Sequence, residues 1–166
     1  MARVLITGMS GTGKSTVLDV LASRGYLTVD TDLYGWTDGE GGPWDATRMG
    51  DLLRTERTVV VSGAAENQGD FLDRFEHVVL LSVPVEVAIE RVRTRSNNSY
   101  GRTIEEQDRI RRHFAEVEPL LRRSATAELD GRLPLARLAD EVAGLADGHP
   151  TDARSAVPPR SDTAEE

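Results

Sequence analysis

Short runs of apolar residues alternate along the chain with stretches in which apolar residues recur every three or four positions. The short runs are typical of buried strands, and the longer spacing is typical of helices packed on a sheet. Strands are predicted at residues 4–7, 26–30, 58–62, 77–83 and 126–130. Helices are predicted at 14–24, at 44–56, after Pro84, from 103 to about 123 with a kink or stop near Pro119, and from 135 to Gly148. This alternation favours an α/β fold, with a parallel sheet covered by helices on both sides.

The sequence predicts one folded domain, at residues 1–147, followed by a tail of different composition. Hydrophobic residues make up 39% of the 166 residues, which is enough for a single domain with its own core. Residues 148–166 contain prolines and mixed charges but almost no large apolar side chain. Such a segment cannot bury enough surface to offset the entropy of ordering it, so we expect it to be disordered.

The charge of the chain narrows the range of its partners. The formal net charge is −8, so the molecule as a whole should repel nucleic acid and anionic membranes, and any phosphate binding must be local. No apolar run approaches the ~18 residues of a membrane span. The chain has no cysteine, which excludes disulfides and thiolate metal sites. We therefore expect a cytoplasmic protein that binds neither nucleic acid nor membranes.

A phosphate-binding motif lies between the first predicted strand and the first predicted helix. Residues 8–16 read GMSGTGKST and match the pattern G-x-x-x-x-G-K-S/T. Backbone N–H groups in a glycine-rich turn form a concave donor surface, and the start of the following helix adds partial positive charge. We expect Lys14 to reach the β- and γ-phosphates of ATP and the Ser15 hydroxyl to bind Mg²⁺. The residues predicted to hold the nucleotide are Gly8, Ser10, Gly11, Thr12, Gly13, Lys14, Ser15 and Thr16.

Lys14 is the only lysine in the chain, whereas the other 19 basic side chains are arginines. Arginine serves wherever a solvated positive charge is enough. A compact ammonium differs from a wide planar guanidinium, so arginine is a poor substitute beside a phosphoryl group in a tight turn. A general bias toward arginine explains the 19 arginines but not the position of the one exception.

These residues resemble the small P-loop kinases, which include shikimate, adenylate, gluconate and dephospho-coenzyme A kinases. The resemblance covers roughly residues 3–146 and rests on the motif at 8–16, on VDTD at 29–32 and on the arginine-rich segment at 90–102. It implies a P-loop NTPase fold, a three-layer α/β/α sandwich with a five-stranded parallel sheet in the order 2-3-1-4-5. It also implies an acceptor-binding insert at about 33–57 and a lid at about 95–103.

Two aspartates, Asp30 and Asp32, end the second predicted strand. Their spacing points both carboxylates toward the carboxyl edge of the sheet, where ligands bind in open parallel sheets. In the kinases that phosphorylate hydroxyl groups, the first aspartate lies near the metal and the second contacts the acceptor hydroxyl. By this resemblance Asp30 is a metal-side residue and Asp32 a catalytic acceptor-side residue. Alternatively, the pair merely caps a turn.

Seven arginines lie between positions 91 and 112. A closing lid that carries arginine supplies positive charge around the transferred phosphoryl group and excludes water. We assign that catalytic role to Arg95 and Arg102. The others, Arg91, Arg109, Arg111 and Arg112, are interpreted as solvated helix residues paired with Glu86, Glu105 and Asp108.

The chain departs from shikimate kinases at the positions that bind the acceptor. Those enzymes carry a triple glycine after the third strand and an arginine before a PL-containing segment, whereas this chain has GAA at 63–65 and Val117-Glu118. The departures make shikimate an improbable acceptor. Candidate acceptor contacts are Asp32, Trp44, Arg48, Asn67 and Gln68. For Trp36 and Trp44, stacking on an acceptor and packing in the core are equally compatible with the sequence.

These features predict an enzyme that transfers the γ-phosphoryl group of Mg-ATP to a small-molecule acceptor, most plausibly a hydroxyl group. The alternatives are a nucleoside monophosphate kinase and a nucleotide-dependent regulatory ATPase. The third predicted strand ends at VVVSG (59–63) without an acidic residue, which counts against switches and motor ATPases. We expect a monomer or a homodimer.

Overall fold

A computed structural model describes residues 1–37, 42–95 and 101–148. Its strands are β1 (Arg3–Thr7), β2 (Thr28–Asp30), β3 (Val59–Ser62), β4 (His77–Ser82) and β5 (Ala127–Asp130). Its α-helices are α1 (Lys14–Ser23), α2 (Ala46–Thr55), α3 (Val85–Thr94), α4 (Ile104–Ser124) and α5 (Leu135–Ala146). Two short 3₁₀ turns, Gln68–Asp70 and Leu72–Arg74, lie between β3 and β4. Residues 96–100 of the predicted lid and 149–166 of the predicted tail lie outside the described residues, so both remain predictions.

The five strands form one parallel sheet in the order β2-β3-β1-β4-β5. This order confirms the α/β/α sandwich of the P-loop kinases. Strand β1 lies at the centre, with Ile6 opposite Ser62 of β3 and opposite Val79 of β4. The carboxyl ends of β1, β2 and β3 therefore meet at one edge, and the loops that follow these strands surround a common space.

Successive residues of the central strand pack against different helical layers. Val4 and Ile6 pack with Leu21 of α1 and Val142 of α5 on one face of the sheet. Leu5 points to the other face and packs in a cluster with residues of α2 and of the segments around it. A third cluster joins α3 and α4 to β4. Burial on both faces explains why the strands read as continuous apolar runs.

Helix α4 passes through Pro119 without ending there. It continues to Ser124, close to the predicted end at about residue 123, so of the two predicted alternatives at this proline, a kink or a stop, the stop does not occur. Proline removes one backbone N–H donor from the helix, and Pro119 lies on the exposed side. The helix is held by the burial of Ile110, Phe114 and Leu121 on its other side, which extends beyond the proline. Tertiary packing therefore outweighs the local cost of the missing hydrogen bond.

Candidate functional site

The phosphate-binding motif forms a tight loop between β1 and α1. Gly8 lies so close to β4 that a Cβ atom there would come within 2.4 Å of the carbonyl oxygen of Leu81. Gly13 precedes the first turn of α1 with a φ of +101°, a left-handed conformation that favours glycine. Lys14 is then the first residue of the helix. The loop therefore directs the start of α1, with its partial positive charge, toward the carboxyl edge of the sheet.

The hydroxyl of Thr12 is used inside the loop. It is fully buried and donates to the carbonyl oxygen of Met9 over 2.9 Å. This bond ties the second half of the loop to the first. A contact of Thr12 with a nucleotide would thus have to use its backbone N–H rather than its side chain.

The Lys14 ammonium lies over the loop and donates to two carbonyl oxygens, those of Gly8 at 2.8 Å and Met9 at 2.9 Å. Burial lowers the pKa of Lys14 to about 8, and the nearby carboxylates of Asp32 and Asp30 oppose that decrease. A partly desolvated ammonium between two carbonyls and two carboxylates is a strong binding group for an incoming phosphate.

Ser15 and Asp30 meet at the mouth of the loop, as the sequence predicted for a metal site. The Ser15 hydroxyl donates to one carboxylate oxygen of Asp30 over 2.8 Å, and the backbone N–H of Asp32 donates to the other over 3.0 Å. Oxygen atoms are the ligands Mg²⁺ prefers, and it typically takes one or two protein ligands together with substrate phosphates. Ser15 and Asp30 fit such an ion. Within the described ranges no group of three or more His, Asp or Glu side chains could hold a metal by itself.

A cavity of about 510 Å³ opens beside the loop, and we call it the donor cavity. It is lined by Gly11–Thr16 of the motif and Val17 of α1, by Arg91 and Arg95 of the α3 region, and by residues after β5 that include Gly131. Six of the eight motif residues assigned to the nucleotide, Gly11 to Thr16, therefore line it. Gly8 is buried, and Ser10 lines a different cavity, of about 490 Å³.

Arg91 does not belong to a solvated helix face, so that interpretation of the sequence is wrong. Its guanidinium donates to the carbonyl oxygens of Gly11 and Thr12, both at 3.3 Å, and to that of Gly131 at 2.9 Å. The side chain thus joins α3 to the phosphate-binding loop and to the loop after β5. Sequence spacing could not distinguish this arginine from its neighbours, because its partners are backbone groups 40 to 80 positions away.

The two predicted lid arginines occupy different positions. Arg95 lines the donor cavity, and its Nε is buried without a hydrogen-bond partner in the described part of the chain. A buried donor without a partner at a cavity wall is suited to a ligand. Arg102 is exposed and donates to the carbonyl oxygen of Arg95 over 3.4 Å. The two arginines are therefore adjacent, on either side of residues 96–100.

Both tryptophans of the predicted acceptor insert are packed in the core. Trp44 is only 2% exposed and lies 6.0 Å from the ring of Phe71, and Trp36 is 7% exposed. Neither ring offers an open face of useful size to an acceptor. The sequence left stacking and packing open for these residues, and the structure favours packing, so the assignment of Trp44 as an acceptor contact is not supported.

Asn67 and Gln68 also have structural partners. The Asn67 side chain accepts from the backbone N–H of Trp44 over 2.9 Å and donates to its carbonyl oxygen over 3.1 Å. Gln68 is buried, and its carbonyl Oε1 accepts from the N–H of Ala65 over 3.0 Å. Both amides hold the chain after β3 and the start of the α2 region in place, which opposes the predicted contact with an acceptor.

Arg48 and Asp32 remain accessible on the acceptor side. Arg48 stacks on the Trp36 ring, with its guanidinium carbon 4.0 Å from the ring centroid, and donates to the carbonyl oxygen of Tyr34 over 2.7 Å. Asp32 is exposed, and its carboxylate lies close enough to Lys14 to oppose the decrease in the pKa of that amine that burial causes. Of the predicted acceptor residues, Asp32 is thus the one beside the phosphate-binding lysine.

Comparison with known proteins identifies a family and a fold for this chain. A family model described as AAA domain matches residues 4–112. No match was found among curated proteins. No helix within the described residues is both long and apolar enough to cross a membrane.

Several solved structures share the fold at low sequence identity. The shikimate kinase from Acinetobacter baumannii in complex with shikimate has a TM-score of 0.65 and 22% identity, over 89% of this chain and 94% of that one. A gluconokinase from Sinorhizobium meliloti 1021 has a TM-score of 0.57 and 22% identity, over 88% and 94%. The deoxyadenosine kinase from M. mycoides with bound dATP has a TM-score of 0.54 and 13% identity, over 89% and 100%.

Proposed function

The chain belongs to the AAA domain family, and we propose that it is a small-molecule kinase that transfers the γ-phosphoryl group of ATP to a hydroxyl acceptor. The observation that carries the proposal is the grouping of Lys14, Ser15, Asp30 and Asp32 at one edge of the sheet. A loop that only bound nucleotide would need the lysine and the serine. We assign the second carboxylate, Asp32, to the acceptor, because it lies beside Lys14.

In the proposed reaction the acceptor hydroxyl gives its proton to the Asp32 carboxylate while its oxygen bonds to the γ-phosphorus. The bond between that phosphorus and the bridging oxygen of the β-phosphate breaks, and ADP leaves. Lys14 neutralises charge on the phosphate oxygens during the transfer. Mg²⁺ held by Ser15 and Asp30 would add positive charge on the phosphates. Arg95 and Arg102 would add positive charge around the transferred phosphoryl group.

The structural neighbours support this class of reaction. The three solved structures are a shikimate kinase, a gluconokinase and a deoxyadenosine kinase, whose names refer to small molecules. Since each is less than 25% identical to this chain, their acceptors do not transfer to it. We propose a cytoplasmic enzyme, active as a monomer or homodimer, whose partners are a nucleotide and a small acceptor.

A regulatory ATPase is the second candidate, because the family model describes an AAA domain rather than a kinase. Strand β3, the neighbour of the central strand, ends at the buried Ser62 and is followed by Gly63, so its end offers no carboxylate to a hydrolytic water. The carboxylates near the loop come instead from β2 and the residues after it. This arrangement favours transfer to an acceptor over hydrolysis.

The test is ADP release measured with Mg-ATP and a panel of alcohols, sugars, nucleosides and nucleoside monophosphates. We expect release to require one hydroxyl acceptor and to be lost in Lys14→Ala. Release that is equally fast without any acceptor would favour the ATPase. Release that requires a nucleoside monophosphate would contradict the role assigned to Asp32.

A further inference from the structure

A cavity of about 540 Å³ lies against helix α2, and we call it the α2 cavity. One side of the helix lines it, together with Arg3 of β1 and Arg74 of the second 3₁₀ turn. Because Arg3 begins β1, the cavity reaches the edge of the sheet opposite the phosphate-binding loop. None of the described residues that line it also lines the donor cavity or the cavity beside Ser10. A molecule in the α2 cavity would therefore not occupy the space used for the reaction.

The charge of the α2 cavity has a sign opposite to that of the whole protein. Three arginines, Arg3, Arg54 and Arg74, line it, whereas Asp51 is the only carboxylate among its described lining residues. The formal net charge of the protein is −8. A concave, locally positive site on such a protein concentrates anions that the rest of the surface repels. Guanidinium groups can each offer a phosphate two parallel N–H donors, so the lining fits an anion with several acceptor oxygens.

Two of the three arginines already have partners of different strength. Arg3 donates to the Glu76 carboxylate over 2.7 Å and to the carbonyl oxygen of Leu53 over 2.6 Å, so its position is fixed. Arg54 pairs with Asp51, one helical turn earlier, but its side chain is 73% exposed. An exposed pair of this kind stabilises a protein little, and Arg54 can exchange it for a bound anion.

The third arginine, Arg74, has no polar partner for its guanidinium group. The guanidinium carbon lies 5.6 Å from the centroid of the Phe71 ring, and the group makes no hydrogen bond or ion pair with another described residue. Carboxylates are close in the sequence, at Asp70 and Asp73. The N–H donors of Arg74 are therefore available to a ligand.

A glycine in the middle of α2 makes room for this guanidinium group. Glycine destabilises a helix interior relative to alanine, so its presence at position 50 needs a local reason. Backbone conformation is not that reason, because Gly50 does not have a positive φ. A Cβ atom at Gly50 would lie only 3.3 Å from Nη1 of Arg74. The glycine thus allows Arg74 to approach the helix closely.

We propose that the α2 cavity binds the phosphate group of a small molecule, in a site separate from the one that carries out the reaction. Arg74 and Arg54 bind the phosphate oxygens, and Arg3 adds a fixed positive charge. The volume of about 540 Å³ lies within the range of small-molecule sites and leaves room for the organic part of the ligand. A phosphate in this position joins α2 to β1 and to the 3₁₀ turn.

Helix α2 connects the α2 cavity to the acceptor side of the reaction site. It carries Arg48, which stacks on Trp36 and donates to the carbonyl oxygen of Tyr34, two positions after Asp32. Arg48 does not line the α2 cavity, so an effect of the phosphate has to pass through the helix. A phosphate that holds α2 in place should lower the KM of the acceptor, because less order is then lost on acceptor binding. This effector role rests on the proposed function, whereas phosphate binding does not.

The first experiment measures binding without turnover. Inorganic phosphate is titrated into the protein with saturating ADP in the donor cavity, and backbone amides are followed by ¹H–¹⁵N NMR, with sodium chloride at equal ionic strength as reference. We expect saturable shifts at Thr47 and Gly50, and much smaller shifts at Gly13 and Gly131, which line the donor cavity. Shifts at Thr47 and Gly50 no larger than those in chloride would overturn the proposal.

Two further ligands define the anion in the same titration. Glycerol 3-phosphate should bind at least as tightly as inorganic phosphate, because the cavity has room for its organic part. Acetate should bind more weakly, because it offers fewer acceptor oxygens and less charge. Exclusion of the ester would contradict an organic ligand, and acetate binding as tight as that of phosphate would contradict the choice of phosphate.

Variants connect the binding to the arginines. Arg74→Gln and Arg54→Gln should each weaken phosphate binding about ten-fold, for the loss of one charge-assisted contact. Arg57→Gln is the matched control, because Arg57 is exposed just after α2 and does not line the α2 cavity. Both cavity arginines are exposed, so the variants should fold. Equal weakening by the control, or undiminished binding in both cavity variants, would contradict the proposal.

Gly50→Ala separates binding from folding. The added methyl group should displace the guanidinium group of Arg74 and weaken phosphate binding. The melting temperature should stay the same or rise, because alanine favours the helix and the end of a long side chain can move. Phosphate affinity that is unchanged in Gly50→Ala would contradict the role given to this glycine.

The second experiment measures turnover with a hydroxyl acceptor found by the panel, with and without inorganic phosphate. We expect phosphate to lower the KM of the acceptor a few-fold in the unmodified protein but not in Arg74→Gln, and to leave the KM for ATP nearly unchanged. An acceptor KM that does not respond to phosphate would contradict the effector role. Absence of ADP release with every acceptor, despite intact phosphate binding, would contradict the proposed function instead.

Discussion

The phosphate-binding loop and the segment after β3 both place polar side chains at the carboxyl edge of the sheet, but the two regions use them differently. In the loop, Lys14 and Ser15 line the donor cavity, although Lys14 also donates to backbone carbonyls and Ser15 to Asp30. After β3, Asn67 and Gln68 are used to hold backbone in place. Residue type and position along a strand are therefore insufficient evidence for a site. What differs is that Lys14 and Ser15 also line the donor cavity, whereas Asn67 and Gln68 do not.

The largest loss of activity should come from a substitution in the phosphate-binding loop. Lys14→Ala removes the ammonium group that lies over the phosphate-binding loop, and we expect kcat to fall by on the order of 10³- to 10⁵-fold, the range measured for a charged group in phosphoryl transfer. The melting temperature should change little, because the side chain contributes no apolar packing to the core. Phosphotransfer that persists in this variant would contradict the assignment of the loop.

A substitution at Asp32 tests whether the acceptor side of the site, like the phosphate-binding loop, uses its side chains for the reaction rather than to hold backbone in place. Asp32→Asn keeps the size of the side chain but removes its ability to accept a proton, so kcat should fall about 10²- to 10⁴-fold. The affinity for ATP should stay nearly constant, measured by titration calorimetry. Asp19→Asn, an exposed change on α1, is the control. Lost ATP binding with intact acceptor binding would mean that the roles of Asp30 and Asp32 are assigned wrongly.

The pKa of Lys14 allows a chemical test of the same site. Burial lowers this pKa to about 8, so roughly half of the Lys14 side chains are neutral at pH 8. Because only the neutral amine reacts with an acylating reagent, the rate of labelling of Lys14 should fall as the pH drops below that value. The chain contains one other amine, the α-amino group, which serves as an internal control. Mg-ATP should slow labelling of Lys14 but not of the control, as measured by mass spectrometry. Equal labelling with and without nucleotide would argue against phosphate contact.

A substitution at Arg91 should have an intermediate effect on activity. This side chain joins two loops that line the donor cavity, but it is not predicted to contact the reacting atoms. Arg91→Gln removes up to three hydrogen bonds to backbone, each contributing about 1 kcal/mol, and we expect the KM for ATP to rise on the order of ten-fold. Arg93→Gln on the same helix removes only an exposed ion pair and should leave the KM for ATP unchanged. Similar effects of the two changes would mean that Arg91 has no special positioning role.

The smallest effect on kinetics is expected at Asn67. Asn67→Ala leaves the backbone of Trp44 without two partners, which should lower the free energy of unfolding by about 1–3 kcal/mol while the KM values stay near those of the unmodified protein. Chemical denaturation measures the first quantity, and Glu66→Ala at the exposed neighbouring position is the control. A large change in the KM of the acceptor with unchanged stability would restore Asn67 as a binding residue.

The parts of this protein that could be predicted from sequence are those encoded by neighbouring residues. The strands were recognisable because burial on both faces produces continuous apolar runs, and the loop because glycine, lysine and serine must follow one another closely. Even the short β5 was found, from residues 126–130. The sheet order followed from the resemblance that these local features support.

The parts that could not be predicted depend on contacts between distant segments. Arg91 reaches backbone oxygens in two loops, and the amide of Asn67 binds Trp44, 23 positions away. Arg111 pairs with carboxylates as expected, whereas Arg112, its neighbour in the chain, lines a cavity beside Met9 and Ser10 of the phosphate-binding loop. Adjacent arginines on a helix differ in direction, and only the packing of α4 against the loop shows which one meets a cavity.

The most direct test of the account is the chemical form of the phosphorus that leaves ATP, followed by ³¹P NMR in the presence of Mg²⁺ and the acceptor panel. We expect the γ-phosphoryl group to appear as a phosphomonoester, which is the product of transfer to a hydroxyl group, and the signal to be missing in Lys14→Ala and strongly reduced in Asp32→Asn. A new phosphoanhydride would identify a nucleoside monophosphate kinase, and inorganic phosphate alone would identify an ATPase. Either of those results would contradict the function proposed for this site.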